Sequence, residues 1–206
     1  MNKINFLSAI FLILVGVIGR FLLINYVGIP NFEIITALTL VSAVFLGGVW
    51  TFVVPLSIIA ITDVFIGNSP VLIFTWSAFA IIGIFGWLSR RVILRERSDR
   101  RISHKCAKSR IREGFLAILG MTTLGIGSSV FFFFYTNFGW WLVSGMYPHT
   151  PYGLIQCYIM GLPFFKNNLI GNLIFVPMFS GTAIFLKLDF KNKIWNQEKI
   201  KIFQKS

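Results

Sequence analysis

RRVILRERSDRRISHKCAKSRIR, running from Arg90 to Arg112, carries ten of the chain's 19 Lys and Arg residues, and apolar stretches flank it on both sides. Basic residues beside membrane spans are retained on the cytoplasmic side, so this window predicts an inner loop and gives each neighbouring span a direction. Composition requires the membrane. Hydrophobic residues make up 56% of the chain, charged residues 13%, and mean hydropathy is +0.78, which leaves too little polar surface to wrap a soluble core. A net charge of +12 would suit nucleic acid in a soluble protein. Here it is concentrated in this loop and in the tail after Leu186, where positive-inside retention or contact with anionic lipid accounts for it. The expected partner is therefore the lipid bilayer, with no nucleic acid.

Outward from the loop, residues 71–88 and 115–135 read as spans. Residues 6–24 form the first span, which is too long for a signal peptide's apolar region and has no small-residue cleavage site behind it. Residues 34–66 would make one helix about 50 Å long, more than a bilayer needs. Gly47-Gly48 predicts a break into spans 34–46 and 50–66, the second bent at Pro55. Gly67 to Pro70 forms a turn, and the last span is 169–186. With the basic loop 89–114 inside, the lysine-rich tail 187–206 and the N-terminus are also inside. The predicted fold class is all-α integral membrane: a six-helix transmembrane bundle in a single domain, residues 1–186, multi-pass in the plasma membrane with both termini cytoplasmic.

Residues 136–168 remain as an outer segment rich in Trp, Tyr, Phe, Gly and Pro. They read as a re-entrant or interfacial cap, because 151–165 is apolar enough to enter the membrane and too short to cross it. Such backbone is tolerated at membrane depth only when packed in protein or lining a cavity, so the cap is expected to wall a binding site.

Arg20, Glu33 and Asp63 are the only Asp, Glu, Lys or Arg residues between Lys3 and Arg90, and all three fall near the outer surface. Arg20 and Asp63 lie at nearly equal depth in their spans and can pair. An intramembrane charge is costly and faces a bundle interior or a cavity. The three residues fit a structural ion pair between helices, or the polar floor of an outward ligand site. Asn137 has a carboxamide among aromatic residues that needs partners, from a neighbouring helix or a bound polar ligand. Trp141, Tyr147 and Tyr158 offer stacking surface, although Trp and Tyr at span ends also form interfacial belts. The candidate substrate-binding set is Arg20, Glu33, Asp63, Asn137, Trp141, Tyr147 and Tyr158.

No enzyme is expected. The chain contains no G-x-x-x-x-G-K-[ST] phosphate loop, no H-E-x-x-H helix and no G-x-S-x-G turn. No cofactor or metal is expected either. Cys106 and Cys157, the only cysteines, fall on opposite sides of the predicted membrane and are not expected to pair.

Arg20, Pro30-Asn31-Phe32, Pro55, Asp63, Gly67, Thr136-Asn137-Phe138-Gly139, Trp141, Tyr147, Thr150, Gly153-Leu154, Cys157-Tyr158 and Leu162-Pro163-Phe164-Phe165 together resemble an uncharacterised family of small bacterial membrane proteins. The resemblance covers Arg20 to about Phe175. In layout the chain is similar to the substrate-binding S components of energy-coupling factor transporters. That similarity implies six helices, an outward pocket for a small micronutrient-like solute, and a separate transmembrane coupling protein with ATPases. Those subunits often dock on the coupling protein through alanines four apart on helix one. Here Ala9 is followed by Ile13, with Gly16 and Gly19 further along. A non-transporting scaffold of cell-envelope or shape machinery is the alternative reading.

Overall fold

The computed structural model describes residues 3–67, 70–95 and 107–203. The fold is all-α. The helices are α1 (Lys3–Leu22), α2 (Ile35–Val41), α3 (Trp50–Ile66), α4 (Leu72–Arg95), α5 (Ala107–Val143) and α6 (Pro151–Phe203). The first two end in wider π turns, Leu23–Val27 and Ser42–Leu46. Four stretches, Lys3–Val27, Leu72–Ile93, Arg112–Val143 and Pro151–Leu186, are long and apolar enough to cross a membrane. Ile35–Leu46 and Trp50–Ile66 are shorter. At 1.5 Å per residue the former reaches only about 18 Å, against a hydrocarbon core of about 30 Å.

That short helix is the centre of the molecule. Ile35 to Val44 are buried on every face, and α2 touches α1, α3, α4, α5 and α6. A helix apolar all round is one enclosed by protein or lipid, and here protein encloses it. The break at Gly47-Gly48 is present, with both residues at positive φ (69° and 58°). At Gly47 a side chain would collide with the guanidinium of Arg90, which reaches across from α4 and donates to the Leu46 carbonyl at 3.4 Å.

α1 behaves in the opposite way. Its small residues face inward: Ala9 is fully buried, a β-carbon on Gly16 would strike Ile58 and Leu38, and one on Gly19 would meet Ile34 at 3.1 Å. Ile4, Leu7, Phe11, Leu14 and Ile18 are each more than half exposed. The small-residue stripe is thus consumed by packing within the chain, and the face left for lipid is large and apolar.

Three expectations about form are corrected. Residues 136–168 are no re-entrant cap: α5 continues to Val143, α6 begins at Pro151, and only residues 144–150 turn between them. Helix keeps every backbone group bonded within its own segment, which irregular backbone at that depth cannot do. The basic loop is also shorter than 89–114, because α4 runs to Arg95 and α5 starts at Ala107. Residues 96–106, Cys106 among them, lie outside the described residues. α6 continues through the tail to Phe203 instead of ending near Leu186.

Candidate functional site

Arg20 and Asp63 meet as the sequence depth suggested. Arg20 Nη1 lies 2.8 Å from Asp63 Oδ1, with side-chain exposures of 18% and 11%. The same nitrogen donates to the Thr62 hydroxyl, and Trp76 Nε1 donates to the second carboxylate oxygen at 3.1 Å. One ion pair thereby ties α1, α3 and α4 together. Charge-assisted bonds to both carboxylate oxygens are what a mostly desolvated Asp needs.

Arg20 also lines a cleft of about 300 Å³, together with Leu23, Ile24, the Gly28 to Phe32 connection and Glu33. The connection owes its shape to two left-handed residues, Gly28 (φ 64°) and Asn31 (φ 58°). For Asn31, a non-glycine residue, that conformation is uncommon and is tolerated because its side chain is short and polar. α6 holds the connection in place. Asn167 Nδ2 donates to the Pro30 carbonyl at 3.0 Å and Asn168 Nδ2 to Glu33 Oε1 at 3.3 Å. A β-carbon on Gly171 would lie 3.4 Å from the backbone N and O of Glu33. Burial pushes the Glu33 carboxyl up to about 7; the Arg20 charge opposes this shift and the Asp63 charge adds to it.

The aromatic half of the predicted set lies elsewhere. Asn137 donates to its own helix at the Phe133 carbonyl, 2.8 Å away, and packs so tightly on Gly161 that a side chain there would collide with it. Trp141 Nε1 donates to the Pro148 carbonyl at 3.0 Å, and the Tyr158 hydroxyl to Phe134 at 3.2 Å. Tyr147 is partly buried in the turn between α5 and α6. Cys157 is 2% exposed, and its thiol donates to the Asn137 carbonyl at 3.3 Å. These residues join α5 to α6, and none of them lines the cleft. Arg20, Glu33 and Asp63 come together; Asn137, Trp141 and Tyr158 lie along α5 and α6, and Tyr147 in the turn between them.

Sequence reasoning missed the α6 asparagines. Asn167, Asn168 and Asn172 sit within Phe164 to Phe175, and Asn168 and Asn172 are 3% and 1% exposed. Three carboxamides in so apolar a stretch were a readable signal, because polar groups at membrane depth need partners. The segment division at 168/169 split them between cap and span. Among the described residues, no group of three His, Cys, Asp or Glu side chains could hold a metal ion.

The class is thus an all-helical protein with apolar helices of membrane-spanning length and a charged cleft at one end of the bundle. The chain belongs to a family of unknown function, DUF6580, whose model matches residues 1–194. No curated protein and no solved structure matches it. The family match carries no link to the S components of energy-coupling factor transporters.

Proposed function

We propose that this protein is a membrane solute-binding subunit whose site is the cleft between Arg20 and Glu33, opening to the outside of the cell, and that it serves uptake of a small polar, micronutrient-like solute. The observation that carries this reading is the cleft itself. It combines a guanidinium, a carboxyl and the apolar walls of Leu23, Ile24 and Ile29 at the bundle end opposite Arg90. At about 300 Å³ it is at the small end of ligand sites, which suits a compact molecule. The positive-inside pattern of Arg90 to Arg112 supports the outward orientation, both termini inside, and a path in which α2 and α3 complete six passes. Uphill uptake then needs a separate coupling protein with ATPases or an ion gradient. Such a partner would meet the exposed apolar face of α1, because the small-residue stripe is already packed against Ile58, Leu38 and Ile34.

The scaffold reading has one observation in its favour: Arg20 already has a counter-charge in Asp63 and needs no ligand to neutralise it. Thermal melting of the purified protein against a panel of vitamins, amino acids and nucleobases, with mass spectrometry of co-purified molecules, separates the two. A solute that raises the melting midpoint of the wild type, but not of a cleft-filling Ile24→Trp variant, supports uptake. If no solute stabilises the protein and none co-purifies, or if Ile24→Trp responds like the wild type, the scaffold reading replaces it.

A further inference from the structure

Arg20 has a counter-charge, yet most of its donors are unused. Its bonds to Thr62 and, at 2.8 Å, to Asp63 both leave from Nη1, which carries two hydrogens. Nε and Nη2 make no hydrogen bond to any described residue. Among the described residues, the unpartnered side-chain atoms sealed from solvent belong to Thr36, Thr51 and Asn172, so neither arginine nitrogen is sealed. The cleft is the open space that Arg20 lines. Nε and Nη2 form one edge of the guanidinium, whose two parallel N–H groups match the two oxygens of a carboxylate. Asp63 leaves that edge alone, because its second oxygen accepts from Trp76.

Glu33 lines the same cleft. Its Oε1 accepts from Asn168, while Oε2 has no bond to any described residue and is the oxygen on which a proton can sit and donate. The charged groups that face Glu33 are Arg20 on α1 and Asp63 on α3, paired with each other, whereas α6 presents the uncharged Asn168. Glu33 therefore sets the charge of the cleft: neutral when it is protonated, negative when it is ionised.

Resting on the cleft as the solute site, we infer that the solute is a small carboxylic acid, its carboxylate received by the Nε–Nη2 edge of Arg20, and that it binds together with one proton held on Glu33 Oε2. A carboxylate meets that edge at two points and with charge assistance, which an uncharged carbonyl cannot do. Two anions in one cleft of about 300 Å³ repel each other, and the proton removes one of them. Burial holds the Glu33 carboxyl at about 7, so the proton is in place at mildly acidic pH before any anion arrives, and the anion then makes it harder to remove. Leu23, Ile24 and Ile29 leave an apolar wall for the rest of the molecule.

The full-length protein in detergent is titrated with propionate, benzoate and nicotinate, and with the primary amide of each, from about pH 5.5 to about 8.5, with the melting midpoint as readout. A saturable rise is expected with at least one acid and not with its amide. The half-saturating concentration of that acid should be level below about 7 and climb about tenfold per pH unit above it. Glu33→Gln is neutral at every pH and should abolish the climb. Arg20→Lys keeps a cation opposite Asp63 but has no two-point edge, so it should raise the concentration about tenfold throughout. Stabilisation by the amides, or by uncharged members of the wider solute panel, with none by any carboxylate would overturn the inference and leave the cleft as the site of another solute. An acid whose affinity ignores pH, rises with pH as an ammonium group drawn to ionised Glu33 would make it, or keeps its climb in Glu33→Gln would overturn it too. If nothing in either series stabilises the protein, the solute-site reading falls with it. The acid–amide pairs and Glu33→Gln decide if Arg20→Lys does not fold.

Discussion

Arg20 and Asp63 meet as full charges 2.8 Å apart beside the cleft, whereas deeper in the bundle Asn168, Asn172 and Ser129 form a neutral chain that ends in an unpartnered oxygen. Both place polar atoms in apolar surroundings. The charged cluster is closed around its carboxylate: both Asp63 oxygens accept, one from Arg20 Nη1 and one from Trp76 Nε1. The neutral chain is open, with acceptors left over. A closed charged cluster is expensive to break on one side, while an open neutral chain costs less to disturb. Glu33 stands between them, reached by the field of Arg20 and bonded to Asn168.

The largest effect is expected from breaking the closed cluster on one side only. Arg20→Met or Asp63→Leu alone should destabilise by about 3–5 kcal/mol, since each strands a poorly hydrated charge. The double variant should lose much less than the two singles combined. A double-mutant cycle on thermal midpoints in detergent measures this coupling, and strict additivity would remove the contrast.

Disturbing the open chain should cost less. Asn172→Leu is expected to lose about 1–3 kcal/mol, because Ser129 and the Gly125 carbonyl still have each other. Chemical unfolding of wild type and variant provides the measurement. A loss equal to that of Arg20→Met would mean that the neutral chain is as closed as the charged one.

Glu33 gives the smallest and most selective effect. Its carboxyl keeps its proton in the folded state up to about 7, against an ordinary 4.5. Between those values the folded state binds more protons than the unfolded one, so stability should fall as pH rises through that window. The contribution is fully present below about 4.5 and gone above about 7. Glu33→Gln should flatten the melting midpoint across this range and leave the Arg20–Asp63 coupling unchanged. A variant that keeps the wild-type slope would assign the titration to another group.

Much of the fold was legible because it follows from one-dimensional quantities. Hydropathy runs marked the helices, the glycine pair marked the end of α2, and counting residues from span ends put Arg20 level with Asp63. The nominated pair could be read because a charge in an apolar span has very few possible partners. The 136–168 segment was misread for a related reason: its Gly, Pro and aromatic content resembles irregular backbone, yet Gly139 and Gly161 accommodate Phe74 and Asn137 at close helix contacts. Composition does not distinguish a glycine that turns the chain from one that lets a neighbour approach.

By itself, then, the sequence determined an all-helical, membrane-compatible chain with a basic end and an ion pair near the opposite end, since charge, hydropathy and helical rise are additive along the chain. Only the tertiary structure decided that α2 is enclosed by the other five helices and that the small residues of α1 face inward. It also decided that Asn137, Trp141, Tyr147 and Tyr158 stand apart from Arg20, while Asn168 and Asn172 reach from α6 to Glu33 and Ser129. Those contacts join residues more than a hundred positions apart, or depend on which face of a helix turns inward, and no local pattern encodes either.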